Sequence, residues 1–227
     1  MESSSPTLRL PRRVRAAAQA AVGESRLSSE FAWMSWAGTV WRLGGETGAV
    51  YVKRAAHLAG ERDRLAWLAG RWPVPDVVGF FHAAGDDWLL TREVPGVALY
   101  HPSVGLPPAS VASLLGETLR GIHSSDATGC PFGTSKPGHV LIHGDYCLPN
   151  VLFTVGTGLA RGAPPALSSL IDVGRSGLGD PRDDLAAGLW TLSYNYGPGL
   201  GREFLDAYGA PPMTDAEIER LRRRYGR

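Results

Sequence analysis

A chain of 227 residues, 44% hydrophobic and 20% charged, can form one or two globular domains with a sizeable core. A net charge of +1 excludes a general electrostatic drive toward nucleic acid or anionic membrane, and no apolar run approaches the ~20 residues of a membrane span. Two cysteines, Cys130 and Cys147, exclude a disulfide framework and a paired metal-ligand motif. Arginines 9, 12, 13 and 15 run into alanines rather than an apolar signal core, so a reducing cytoplasm is the expected setting.

In chain order, residues 1–7 read as a disordered start and 11–22 as a short alanine-rich helix behind a proline. The texture then turns β-like. Runs at 31–36, 39–43 and 49–53, separated by Gly44, Gly45 and Gly48, predict three antiparallel strands, the third ending in Lys53. Residues 58–70 follow as a helix with Leu58, Leu65 and Leu68 at helical spacings. Its Glu61 is placed to pair with Lys53, with Asp63 as the competing carboxylate. Prolines 73 and 75 stop this helix, and 77–81 and 88–91 read as two further strands. Residues 92–96 form a turn-like link, which divides the chain into expected domains at 1–96 and 97–227.

In the second domain, 108–124 is an amphipathic helix with Val111, Leu114, Leu115, Leu119 and Ile122 inward. Asp183 and Asp184 stand where an N-cap is wanted ahead of a second apolar helix. Residues 202–208 form another. Thr214 with Glu217 is a capping box for a last helix carrying Ile218, Leu221 and Tyr225 on one face and arginines 220, 222, 223 and 224 on its wet side.

The chemistry concentrates between residues 140 and 185. An apolar strand delivers His143-Gly144-Asp145 into a short loop ending at Asn150, a second strand follows, and a third delivers Asp172 into a glycine-rich turn. The last two strands read as a hairpin with Asp145, Asn150 and Asp172 at its open end. Two carboxylates and a carboxamide converging there suit phosphoryl transfer. One Asp takes the proton of the attacking hydroxyl, while Asn and the other Asp hold Mg²⁺. Cys147, inside the loop, reads as a semi-buried filler rather than a reactive thiol.

The ordered set HGDxxxxN, IDxGRxG and GDPRDDLA resembles the aminoglycoside phosphotransferase family, small-molecule kinases related in fold to protein kinases. The resemblance implies an α+β, protein-kinase-like two-lobe fold, with a small antiparallel β-sheet N-lobe over a mainly helical C-lobe and ATP in the cleft. It implies Asp145 as catalytic base, Asn150 and Asp172 as Mg²⁺ ligands, and Lys53, fixed by Glu61, on the ATP phosphates. It further implies backbone groups of Arg92 and Val94 at the adenine and Arg175 near the transferred phosphate or the acceptor. Asp180 and Asp184 become loop braces. The implied acceptor is a hydroxyl of a small molecule, an aminoglycoside first, with no nucleic-acid or membrane partner. Three features depart from the family pattern: a single glycine, Gly38, in the nucleotide loop at 34–39; only a short loop at 126–138 where an acidic helical insertion is usual; and an arginine-rich end. They keep open a sugar or amino-alcohol acceptor, or a non-catalytic nucleotide-binding role.

Overall fold

The computed structural model describes residues 9–35, 38–133, 140–154 and 165–225. The chain divides into two compact units, Met1–Ala69 with Pro75–Val94, and Gly70–Val74 with Pro95–Arg227. The start read as disordered, the centre of the expected nucleotide loop, the end of the expected short loop before residue 140, the expected hairpin connection and the last two residues lie outside the described residues.

The first unit is a five-stranded antiparallel sheet. Its strands are β1 (Ser28–Ser35), β2 (Gly38–Gly44), β3 (Ala49–Ala55), β4 (Val77–Ala83) and β5 (Asp86–Arg92), in spatial order β1-β2-β3-β5-β4. Alternation puts Val50 and Val52 of β3 on the inner face, fully buried. That face is covered by helix α1 (Arg12–Val22), whose Val14, Ala18 and Val22 form a stripe one helical turn apart, packed with Leu43, Trp88 and Leu90. The helix stops at Gly23, where φ is +81° and glycine carries no steric cost. Helix α2 (Ala59–Leu68) follows β3 and buries Leu65 and Leu68, with Leu58 buried just before it. Each such leucine contributes about 1.5–3 kcal/mol of burial.

The second unit is mainly helical. Helix α3 (Pro108–His123) buries Val111, Leu115, Leu119 and Ile122, while Leu114 is only half-buried. It packs on α5 (Gly201–Tyr208), and Gly116 permits the approach because a Cβ there would collide with the Phe204 carbonyl. Helices α4 (Pro181–Tyr196) and α6 (Asp215–Arg222) complete it. Five short strands carry the loops: β6 (Val97–Ala98), β7 (Val140–Ile142), β8 (Val151–Thr154), β9 (Ala166–Leu170) and β10 (Gly177–Gly179). The hairpin is β8–β9, extended by β6, and β7 pairs with β10.

A five-residue strap from the first half of the chain belongs to this unit. The Leu170 amide and the Ser169 hydroxyl both donate to the Pro73 carbonyl (2.7 and 3.2 Å), and the buried Trp72 indole donates to Ser125 Oγ at 2.9 Å.

Three sequence readings need correction. The N-cap of α4 is Asp180, whose side chain accepts from the Arg182 amide, rather than Asp183 or Asp184; Pro181 takes the first helical position, which needs no amide donor. The capping box of Thr214 and Glu217 is present, but α6 ends at Arg222, so Tyr225 lies on the turn beyond it. Arg224 is not on a wet face: its guanidinium bridges Asp180 (2.8 Å) and Asp183 (2.6 Å). No helix among the described residues is long and apolar enough to cross a membrane.

Candidate active site

In the first unit, β3 aims Lys53 at the first turn of α2. Lys53 Nζ lies 2.7 Å from Glu61 Oε2, and both side chains are 12% exposed. Asp63, the competitor, pairs instead with its neighbour Arg62 and is half exposed. The start of α2 is itself held, because the Leu58 amide donates to Asp87 Oδ2 of β5 at 2.8 Å. That amide keeps the Asp87 carboxyl below the usual carboxylate range. A partly buried Lys–Glu pair adds little net stability, since desolvation offsets the attraction, but it fixes where the ammonium points. At the end of β5 the Arg92 amide donates to Asp76 O and its guanidinium to Ala21 O. Val94 closes this unit.

In the second unit two loops face each other, residues 143–150 and 171–176. Both spring from paired positions: Ile142 opposes Gly177 at one end, and Val151 opposes Leu170 at the other. Antiparallel pairing therefore fixes the loops at all four ends. They are also stitched across. The Ile171 amide donates to Asn150 O (3.0 Å), and Ser176 Oγ donates to His143 O (3.0 Å). His143 is fully buried; its Nδ1 accepts from the Asp145 amide (3.3 Å), leaving the ring proton on Nε2 for the Ile171 carbonyl (3.0 Å). Gly144 has φ +84°, and a Cβ there would lie 2.5 Å from the Arg175 carbonyl oxygen. Only glycine satisfies both conditions.

Asp145, Asn150 and Asp172 are thereby gathered. Asn150 Nδ2 donates to the carbonyl of Asp145 (3.0 Å) and to its Oδ2 (3.3 Å), so the Asn150 carbonyl oxygen is turned away from these bonds. Asp172, one residue beyond the Ile171–Asn150 bond, has φ +56° and ψ +46°. It is one of two non-glycine residues at positive φ among the described residues. Such a conformation costs energy and is tolerated best by Asn and Asp; it commonly marks functional positions. A carboxylate and a carboxamide oxygen are hard donors of the kind Mg²⁺ takes alongside water and phosphate oxygens. No larger cluster of His, Cys, Asp and Glu that could cage a metal occurs among the described residues. Arg175, in the turn Val173–Arg175, is exposed beside Asp172.

Three groups escaped the sequence reading. The first is the support under the loop. Asp184, fully buried, accepts from the amides of His143 (2.7 Å) and Gly144 (2.8 Å) and from His123 Nε2 (3.1 Å). His123, read as a plain helix end, receives on Nδ1 a hydrogen bond from Tyr208 (3.0 Å), giving a consistent donor chain Tyr208–His123–Asp184. The brace role of Asp184 was legible in its motif; the histidine behind it was not. The second is Tyr225, whose hydroxyl donates to Asp145 Oδ1 at 2.6 Å. The third is the setting of Cys147, whose sulfur lies 3.3 Å from Tyr225 Oη and 3.5 Å from Asp145 Oδ1. Burial, and next the charge of Asp145, push its thiol up to about 12, which suits an inert filler.

The chain as a whole is similar to known proteins. The profile of the phosphotransferase enzyme family matches residues 31–139 and 135–223. The aminoglycoside 3'-phosphotransferase of Streptomyces ribosidificus is 30% identical, over 75% of this chain and 84% of its own. That of Escherichia coli is 25% identical, over 75% and 79%. Among solved structures, aminoglycoside-3'-phosphotransferase of type VIII matches with a TM-score of 0.69 and 25% identity, over 93% of this chain and 98% of that one. A spectinomycin phosphotransferase solved with ADP and spectinomycin shares the fold, with a TM-score of 0.56 and 13% identity over 96% and 84%. The chain is thus an α+β protein of protein-kinase-like fold and belongs to the phosphotransferase enzyme family, alongside the aminoglycoside phosphotransferases.

Proposed function

We propose that this enzyme transfers the γ-phosphoryl group of ATP to a hydroxyl group of an aminoglycoside, with Mg²⁺ as cofactor, in a reducing cytoplasm. The observation that carries the reading is the gathering of Asp145, Asn150 and Asp172 on two loops clamped at both ends. Asp145, oriented through its amide by His143 and through its carboxylate by Asn150, takes the proton of the attacking hydroxyl. Asn150, through its carbonyl oxygen, and Asp172 hold the metal. Bound Mg²⁺-ATP supplies the phosphoryl group and neutralises its charge. Lys53, fixed by Glu61, holds phosphate oxygens. Because the Arg92 amide is committed to Asp76, adenine recognition rests on the Arg92 carbonyl and the backbone of Val94. Arg175 contacts the transferred phosphate or the acceptor. The names of the relatives support the aminoglycoside.

One observation favours a second acceptor class, an uncharged sugar or an amino alcohol. A polycation needs free carboxylates near the base. Asp180 and Asp183, joined through Arg224 to the residue that touches Asp145, are already bonded to Arg224, and Asp180 also to Arg182. Phosphate transfer to kanamycin-type and streptomycin-type drugs, beside a panel of metabolite alcohols, separates the two. Robust drug phosphorylation with micromolar KM sustains the aminoglycoside, and transfer to metabolites alone replaces it. Asp145→Asn is expected to lower turnover by roughly 10²–10⁴-fold. Full activity in that variant would remove Asp145 as the base.

A further inference from the structure

The turn after α6 carries a hydroxyl group onto the carboxylate assigned as base. Tyr225 Oη donates to Asp145 Oδ1 at 2.6 Å. Three contacts anchor the tyrosine there. Arg224, its neighbour, is pinned between Asp180 and Asp183. The Trp190 ring of α4 lies 5.0 Å from the phenol ring, tilted by 38°. Cys147 Sγ sits 3.3 Å from Tyr225 Oη. A general base has to lie within hydrogen-bond reach of the proton it removes, and the phenolic proton meets that condition. The phenol stands, toward Asp145, as the hydroxyl of a bound acceptor would.

A purely structural role would need only a donor to Asp145, and Asn150 already supplies one. We propose that Tyr225 is a phosphorylation site of this enzyme: with no small-molecule acceptor bound, the γ-phosphoryl group of ATP is transferred to Tyr225 Oη of the same chain. The bond between Oη and the γ-phosphorus forms as the bond from that phosphorus to the β,γ-bridging oxygen breaks. The phenolic proton passes to Asp145, and ADP leaves with the electron pair. This rests on the function proposed above, since it needs Asp145 as base and ATP as donor.

The test incubates the full chain with Mg²⁺ and γ-labelled ATP in the absence of acceptor, then locates the label by intact mass and peptide fragmentation. The expected result is a single phosphoryl group per chain, on Tyr225, formed at a rate independent of protein concentration. Saturating acceptor slows the labelling, Tyr225→Phe abolishes it, and Asp145→Asn slows it by roughly 10²–10⁴-fold. Turnover of a small-molecule acceptor by the wild-type enzyme is measured in parallel. Acceptor turnover with no phosphate on Tyr225 overturns this inference and leaves the proposed function standing. Labelling on another residue, or at a rate that rises with protein concentration, also overturns it. Transfer to neither the acceptor nor Tyr225 overturns both readings.

Discussion

The clearest test of how the loop at residues 143–150 is held is Asp184→Ala. The carboxylate is fully buried and receives three donors: the amides of His143 and Gly144 at 2.7 and 2.8 Å, and His123 Nε2 at 3.1 Å. Alanine removes the acceptor for all three, and His143 is itself fully buried. A buried donor left without a partner costs about 1–3 kcal/mol, so the two amides and the imidazole together amount to roughly 3–9 kcal/mol. For a chain of this size each kcal/mol lowers Tm by about 2–4 °C, which gives a fall of roughly 6–36 °C. Asp184→Asn keeps the shape and one acceptor oxygen and should lose about half as much. The amides concerned open the loop that carries Asp145. In the protein still folded at low temperature, turnover should therefore drop on the order of 10²-fold, the effect of a displacement near 1 Å. Thermal denaturation by circular dichroism and steady-state kinetics at 10–15 °C below the variant's Tm, about the margin needed for full folding, provide the readings. A Tm change under about 3 °C with unaltered turnover would refute the loop-bracing role.

Two further outcomes are expected. Asp172→Asn keeps a side chain that tolerates left-handed backbone, so Tm should stay within about 2 °C of wild type. Mg²⁺-ATP affinity should fall by at least the ~10–100-fold typical of disturbed metal ligands, and calorimetric titration showing unchanged affinity would exclude Asp172 from the metal site. Cys147, with its thiol pushed up to about 12, is nearly all protonated at pH 8 and forms thiolate only as pH climbs toward that value. Alkylation of Cys147 in the native protein at pH 8 should run about 10³-fold slower than in the urea-unfolded chain, where the thiol titrates near its ordinary value. Native and unfolded rates within about tenfold of each other, measured by peptide mass spectrometry, would contradict the buried setting.

Local signals reached far into this structure. The strands of the first unit were legible because β-rich runs alternate with glycine turns, and the α6 start because Thr214 and Glu217 form a reciprocal cap within one helical turn. The gathering of Asp145, Asn150 and Asp172 was legible because each lies within three residues of a strand end and the strands pair. What escaped depends on contacts between distant stretches. Tyr225 reaches Asp145 across 80 positions of sequence, and His123 reaches Asp184 across 61. No periodicity or cap encodes either one. Tyr225 also fitted the helical spacing of Ile218 and Leu221, so the pattern placed it on α6 when the helix ends three residues earlier. Arg224 misled for a related reason: an arginine run reads as solvated unless its partners, here Asp180 and Asp183, can be seen.

The strap at Gly70–Val74 bears on how such a protein can be inherited in pieces. The border between the two units is not a point in the sequence, because the chain passes from one to the other after Ala69, back after Val74 and across again after Val94. A recombination event near residue 95 that joined this second unit to a relative's first half would import that relative's own Trp72–Pro73 equivalent. The graft would then have to present a carbonyl to Ser169 and Leu170 and a donor to Ser125. In such a graft, those five residues must match a sheet and a helix they did not evolve beside. Viable chimeras are therefore expected to carry the strap together with the half that binds it.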